Sequence, residues 1–194
     1  MPDTSTYAGG TLAGGSGGGN TPAVLDTGRR VSLRDIRRPV EDELADFRRY
    51  FREAVRSKVG LLDKVTQYML RQKGKEMRPL LVLLSARVCG DVNETSYRAA
   101  ALVELLHSAT LVHDDVVDTA EQRRGMFSIN ALWKNKVAVL FGDFLLSRGL
   151  LLALEYNDYK LLHAMSDAVR RMSEGELLQI EKSRHLDIDE ETYF

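Results

Sequence analysis

From Val40 onward, apolar residues return every three or four positions: Leu44, Phe47, Phe51, Val55 and Val59, then Leu62, Val65, Tyr68 and Met69. That spacing places them on one face of an α-helix, and no segment alternates convincingly with the period of two that a half-buried strand needs. Gly74 interrupts the second run. Pro79 opens a third, because proline suits the first turn of a helix and pushes its predecessor out of the helical region. This helix is predicted to run to about residue 88 and to stop at Cys89-Gly90, where glycine can take the left-handed cap. Asn93 or Thr95 then starts a long helix, from residue 97 to about 119, apolar around most of its circumference and so expected at the centre of a bundle. Two more helices are predicted over about 130–155 and 158–182. The expected fold class is all-α, an antiparallel helical bundle with short connections and no internal repeat.

Composition bounds what such a bundle can be. With 194 residues the chain has room for one domain with a real core. Residues 1–30 hold seven glycines between Gly9 and Gly19 and cannot bury enough apolar surface to offset their ordering entropy. They are expected to form a flexible tail, leaving 31–194 as the helical domain. The formal charge of -1 and pI near 6.4 provide no general basic field, which argues against a nucleic-acid partner and makes any anion binding local. Arg29, Arg30, Arg34, Arg37 and Arg38 form a basic stretch that is expected to be solvated. Cys89 stands alone, which rules out an intrachain disulfide or a cysteine zinc site and fits a reducing cytoplasm. It is expected to be a small buried hydrophobe. No apolar signal segment follows the N-terminus, and a cytoplasmic location is expected. The longest apolar stretch, 137–154, contains Asp143 and Arg148. Each would cost about 2.5–3.5 kcal/mol at a bilayer centre, so the stretch is expected to be a buried helix and not a transmembrane one.

The chemistry concentrates at the end of the long helix, in Leu111-Val112-His113-Asp114-Asp115-Val116-Val117-Asp118. Asp114 and Asp118 are four apart and Asp115 and Asp118 three apart, so the carboxylates share one side of the helix end. At about 6 Å and an effective dielectric of about 20, each pair costs on the order of 3 kcal/mol, and a helix C-terminus is the wrong end for anions. A hard divalent cation bound by one or two carboxylates plus phosphate oxygens is the economical compensation. A solvated acidic helix end is the plainer alternative, and the apolar helix leading into it argues against that.

Arg123, Arg124 and Gly125 follow on an expected loop. Arginine forks match phosphate oxygens, and glycine lets the backbone approach closely. Upstream, Gly74-Lys75-Glu76-Met77-Arg78-Pro79 places Lys75 and Arg78 just before a helix N-terminus, which favours an anion. His107 lies two turns before Asp114 on the same face and could donate to a diphosphate.

Taken in order, GKEMRP, the histidine in ELLHSATLVHDDVVD and the RRG that follows resemble the first half of the trans-isoprenyl diphosphate synthases, from about Val40 to the C-terminus. The resemblance implies an isoprenoid-synthase bundle, incomplete at the C-terminus. Its implied reaction is the condensation of isopentenyl diphosphate with an allylic diphosphate to a longer trans-polyprenyl diphosphate. It further implies that Asp114, Asp115 and Asp118 form the first aspartate-rich motif. Asp114 and Asp118 would be the principal ligands of Mg2+ bridging the allylic diphosphate. Arg123 would hold that diphosphate, and Lys75, Arg78, His107 and Arg124 would hold isopentenyl diphosphate. Ala109 and Thr110 would sit at the floor of the product tunnel, and their small size implies a product of geranylgeranyl length or beyond. Phe141 to Gly149, and Gly175, Glu176 and Gln179, are similar to later core helices of the family and are expected to pack. The full-length protein is expected to be a homodimer.

The family's second aspartate-rich motif is absent, and the only later acidic cluster, 187–191, lacks its spacing and is expected to open a further helix. The chain is therefore expected to be a fragment with little activity alone. A terpene cyclase would need only one diphosphate site, against which Lys75, Arg78 and His107 argue. A non-catalytic helical subunit is the other alternative.

Overall fold

The computed structural model describes residues 31–72 and 74–185. The expected tail, 1–30, and the acidic cluster at 187–191 lie outside the described residues. A short helix α1 (Leu33–Arg37) runs through a 3-10 turn (Arg38–Val40) into α2 (Glu41–Ala54). Then come α3 (Gly60–Arg71), α4 (Met77–Cys89), α5 (Glu94–Val117), two two-residue strands β1 (Gln122–Arg123) and β2 (Met126–Phe127), α6 (Ile129–Glu155) and α7 (Tyr159–His185).

The all-α expectation holds, with its long helix at the centre: α5 packs against α2, α4 and α6. Its start is a capping box, in which the Asn93 side chain accepts from the Ser96 amide and the Ser96 hydroxyl accepts from the Asn93 amide. The α5–α6 pair is antiparallel. Gly142 lies beside His113 near the end of α5, whereas Gly149 lies beside Leu102 and Leu105 nearer its start. An added methyl group at Gly142 would lie 2.2 Å from the His113 imidazole, so glycine there permits the close approach. Helices α2 and α4 are also antiparallel, joined by the ion pairs Glu43–Arg87 and Arg48–Glu76. Between these helices Leu44, Leu80, Leu83, Leu105, Phe141 and Leu145 are fully buried. At about 25 cal/mol per Å2 of apolar surface removed from water, such side chains dominate the stabilising side of the balance.

Several local expectations are corrected. The first apolar run is not one helix: α2 ends at Ala54, and Val55 keeps its place in the core from the connection. Arg148 of α6 donates to the Ala54 carbonyl at 2.8 Å, satisfying that helix end from across the bundle. Cys89 is exposed. Six residues after buried Leu83, it points about 120° away around α4. Gly90 ends α4 at φ 154° and ψ −143°, outside the left-handed cap region. The sixth helix is kinked at Lys134, whose φ 73° and ψ 159° form a conformation nearly reserved for glycine, at a cost of about 1–3 kcal/mol.

The apolar stretch 137–154 forms most of α6, but only one face is buried. Ala138, Phe141, Leu145 and Leu152 pack inward, while Leu140, Leu151 and Leu154 are exposed. By length and composition α6 could cross a membrane. The two charges within 137–154 have local company, Arg148 at the Ala54 carbonyl and Asp143 3.4 Å from the His113 imidazole. On α7, Gly175, Glu176 and Gln179 are exposed and not packed.

Candidate functional site

The two strands, which no period-two pattern announced, turn the expected Arg123-Arg124-Gly125 loop into a hairpin. Gln122 pairs with Phe127 and Arg123 with Met126, leaving Arg124 and Gly125 as a two-residue turn. Both have positive φ, 51° and 76°, which matches the right-handed twist of the flanking strands. Tyr68 of α3 and Gln72, the residue just past its end, donate to the Phe127 carbonyl at 2.7 and 3.2 Å, and Tyr68 meets Trp133 edge-on. The hairpin is thereby anchored against α3 beside the end of α5.

That end treats its three aspartates differently. Asp115 is buried, 3% exposed, and its Oδ1 accepts from Arg123 Nε at 2.7 Å and forms an ion pair with Nη2 at 2.6 Å. Its backbone carbonyl accepts from the Asn130 side chain and the Ala120 amide. Asp114 and Asp118 are exposed, with Asp118 capping the helix through its amide on the Asp114 carbonyl. The Arg123 guanidinium is held above its usual range chiefly by its hydrogen bond to Asp115, with Asp114 and Asp118 adding to the effect. Among the described residues no three metal-binding side chains converge. The acidic crowding is thus relieved first by Arg123. What remains for a cation is Asp114 and Asp118, two hard carboxylates one turn apart facing water. Such a donor set fits a hard divalent ion that completes its shell with water and phosphate oxygens.

Beside this end lies a cavity of roughly 900 Å3. All five residues expected to bind substrate phosphates through their cationic or imidazole groups, Lys75, Arg78, His107, Arg123 and Arg124, line it together, and Asp115 lines it with them. His107 is half-buried, and its pKa is pushed down to about 4 by burial and then by Arg78, Arg124 and Arg123. It is neutral at ordinary pH and offers one N–H to a ligand. Ala109 and Thr110 do not line this cavity. Ala109 belongs to the buried core, and half-buried Thr110 donates to the His107 carbonyl at 3.0 Å.

The sequence reading missed four contributors. Arg48 of α2 grips the Glu76 carboxylate through three hydrogen bonds of 2.7–3.2 Å, and Glu76 holds φ 47° as the residue before α4. Arg37, expected to be solvated, donates to the Lys75 carbonyl and lies 3.9 Å from Glu76. Glu104 lines the cavity, its pKa raised by burial against the opposing pull of Arg78 and Arg124. Arg37 and Arg48 lie dozens of residues from the loop they hold, so only the fold could reveal them. Glu104, one turn before His107, was visible by spacing. Gly74 also has a stated reason: an added Cβ would sit 2.4 Å from Arg124 Nη1, which donates to the Gln72 carbonyl at 3.2 Å. Among the described residues, five non-glycine residues have positive φ, and three of them, Glu76, Thr119 and Arg124, flank this site. Strain persists where surrounding contacts over-determine it, which marks this region as constrained beyond the needs of packing.

Comparison with known proteins identifies the family and the fold. A family model for polyprenyl synthetase matches residues 59–194. The chain is 40% identical over 160 residues to the all-trans-nonaprenyl-diphosphate synthase (geranyl-diphosphate specific) of Rhodobacter capsulatus, covering 82% of this chain and 49% of that protein. To the octaprenyl diphosphate synthase of Escherichia coli it is 36% identical over 163 residues, covering 84% of this chain and 50% of that protein. A polyprenyl synthase from Caulobacter crescentus CB15, solved in complex with calcium and isoprenyl diphosphate, superposes with a TM-score of 0.76 at 34% identity, over 85% of this chain and 51% of that one. The chain spans about half the length of the curated relatives it matches. Its motifs, its all-α isoprenoid-synthase fold and these matches agree: the chain belongs to the polyprenyl synthetase family.

Proposed function

We propose that the protein to which these residues belong is a cytoplasmic prenyltransferase that condenses isopentenyl diphosphate with an allylic diphosphate. The observation that carries this reading is one cavity in which Lys75, Arg78, His107 and Arg124 stand beside the Asp115–Arg123 pair at the end of α5. The allylic C–O bond breaks and diphosphate leaves. The isopentenyl double bond then forms the new C–C bond to the allylic cation, and a proton is lost. Mg2+ held by Asp114 and Asp118 would supply charge neutralisation on the departing diphosphate. Arg123 sits where it can take a share of that negative charge, which is electrostatic stabilisation by groups already in position. Lys75, Arg78 and Arg124 supply charge to the second diphosphate, and neutral His107 supplies a hydrogen-bond donor.

Small Ala109 and Thr110 favour a long product, geranylgeranyl or beyond. The exposed apolar residues of α6 and α7, among them Leu140, Leu151, Leu177 and Ile180, are consistent with further burial in a homodimer. Residues 1–194 carry one aspartate-rich motif, and we expect little turnover from them alone.

The test is incorporation of labelled isopentenyl diphosphate by the full-length protein, given an allylic primer and Mg2+. Primer-dependent, chelator-sensitive elongation is expected. Ionisation of the allylic substrate without uptake of label would instead indicate a cyclase and overturn the assignment. An Ala109→Phe variant is expected to shorten the product, and an unchanged product would sink the tunnel-floor assignment.

A further inference from the structure

We propose that Glu76, gripped by Arg48 and steadied by Arg37, is a positioning residue that sets the diphosphate cradle formed by Lys75, Arg78 and Arg124. The proposal rests on the reading of that cavity as the isopentenyl diphosphate site. Glu76 sits between the two cations expected to meet the substrate, yet its own charge is wrong for touching a diphosphate. Its carboxylate turns instead to α2, where Arg48 Nε reaches both oxygens at 2.9 and 3.2 Å and Nη2 reaches one at 2.7 Å. Arg37 adds a second tie one residue earlier, donating to the Lys75 carbonyl. Between them they hold the backbone of Lys75 and Glu76 from two elements outside the loop.

The backbone shows why a clamp is useful. Glu76 is in the left-handed region, φ 47° and ψ 38°, and this reverses the chain into the first turn of α4. A glutamate has no intrinsic preference for that conformation, so tertiary contacts must impose it. The pair itself is poorly placed to stabilise the fold, because Arg48 and Glu76 are 36% and 28% exposed and water screens them. Its effect is geometric. A forked guanidinium on a carboxylate fixes direction as well as distance, and here it fixes where Lys75 and the N-terminus of α4 point. The opposite side of the same loop has little slack, since Gly74 is packed against the Arg124 guanidinium. A displaced Glu76 would therefore move cations on both sides of the cradle.

Steady-state kinetics of the full-length protein test this, with Lys75→Ala as the control for the cavity itself. Glu76→Gln and Arg48→Gln are each expected to raise KM for isopentenyl diphosphate about tenfold, short of the hundredfold that a full ångström of misplacement can cost. Neither should change kcat or the allylic KM by more than about twofold, and the double variant should be no worse than either single one. Glu76→Gly suits the left-handed backbone, so it should melt no lower than the parent and still raise that KM. An unchanged isopentenyl KM in Glu76→Gln overturns the proposal. A lowered KM overturns it too, because Glu76 would then be an internal anion competing with substrate for the arginines. If Lys75→Ala raises KM while Glu76→Gln does not, only the clamp fails. If Lys75→Ala also has no effect, the cavity assignment fails with it.

Discussion

At the end of α5, three carboxylates crowd into little more than one helical turn, and among the described residues only Asp115 has an ion-pair partner, Arg123. Across the cavity, the loop before α4 separates its cations and ties them down through Glu76, Arg48 and Gly74. The acidic end leaves Asp114 and Asp118 facing water. The basic side is already organised by the protein's own side chains. Like charges on one helix cannot screen each other and must recruit a counter-ion. Cations carried on separate elements can instead be spaced by carboxylates, and Glu76 and Glu104 stand among Arg48, Arg78 and Arg124 in that role.

This difference ranks the ways to test it. Asp114→Asn or Asp118→Asn should lower kcat of the full-length protein by on the order of 10²–10³-fold with little change in folding, since both are exposed. Turnover within tenfold of the parent would show that the acidic end does not hold the metal. Arg123→Ala strands the buried Asp115 carboxylate. The expected loss is about 2 kcal/mol of stability, below the roughly 3–5 kcal/mol of a fully buried pair because Arg123 is 30% exposed. Denaturant unfolding would measure it, and adding Asp115→Asn should recover part of the loss. Gly74→Ala tests the organised side: its Cβ must displace the Arg124 guanidinium, raising KM for isopentenyl diphosphate about tenfold while leaving the melting point nearly unchanged. An unaltered KM would show that Arg124 takes its binding position only with ligand.

The smallest effect is in pH. His107 has its pKa lowered from its ordinary 6.5 to about 4, so between those values the unfolded chain binds a proton that the folded one refuses. This contribution to stability therefore rises with pH from about 4 to 6.5 and is lost as pH falls back through that window. Unfolding curves of His107→Asn should be flatter there than those of the parent. Parallel curves would place the imidazole in water, away from the arginine cavity.

The sequence itself was enough to determine the number and order of the long helices, the place of the central one and where along the chain the acidic and basic motifs fall. Apolar spacing, caps such as Asn93 and the run from Asp114 to Asp118 are local, and local periodicity survives without knowledge of the fold. The break at Val55 was hidden because a buried connection preserves the same spacing as a helix. The hairpin at Arg123 was hidden because two-residue strands are too short to show a period. Only the tertiary structure decided that Asp115 belongs to Arg123, that Cys89 faces outward, and that Arg37 and Arg48 serve a loop far along the chain. Each of these depends on which helix faces which. Burial and ion pairing are properties of the surroundings, and the surroundings of a charged side chain are supplied by residues distant in sequence.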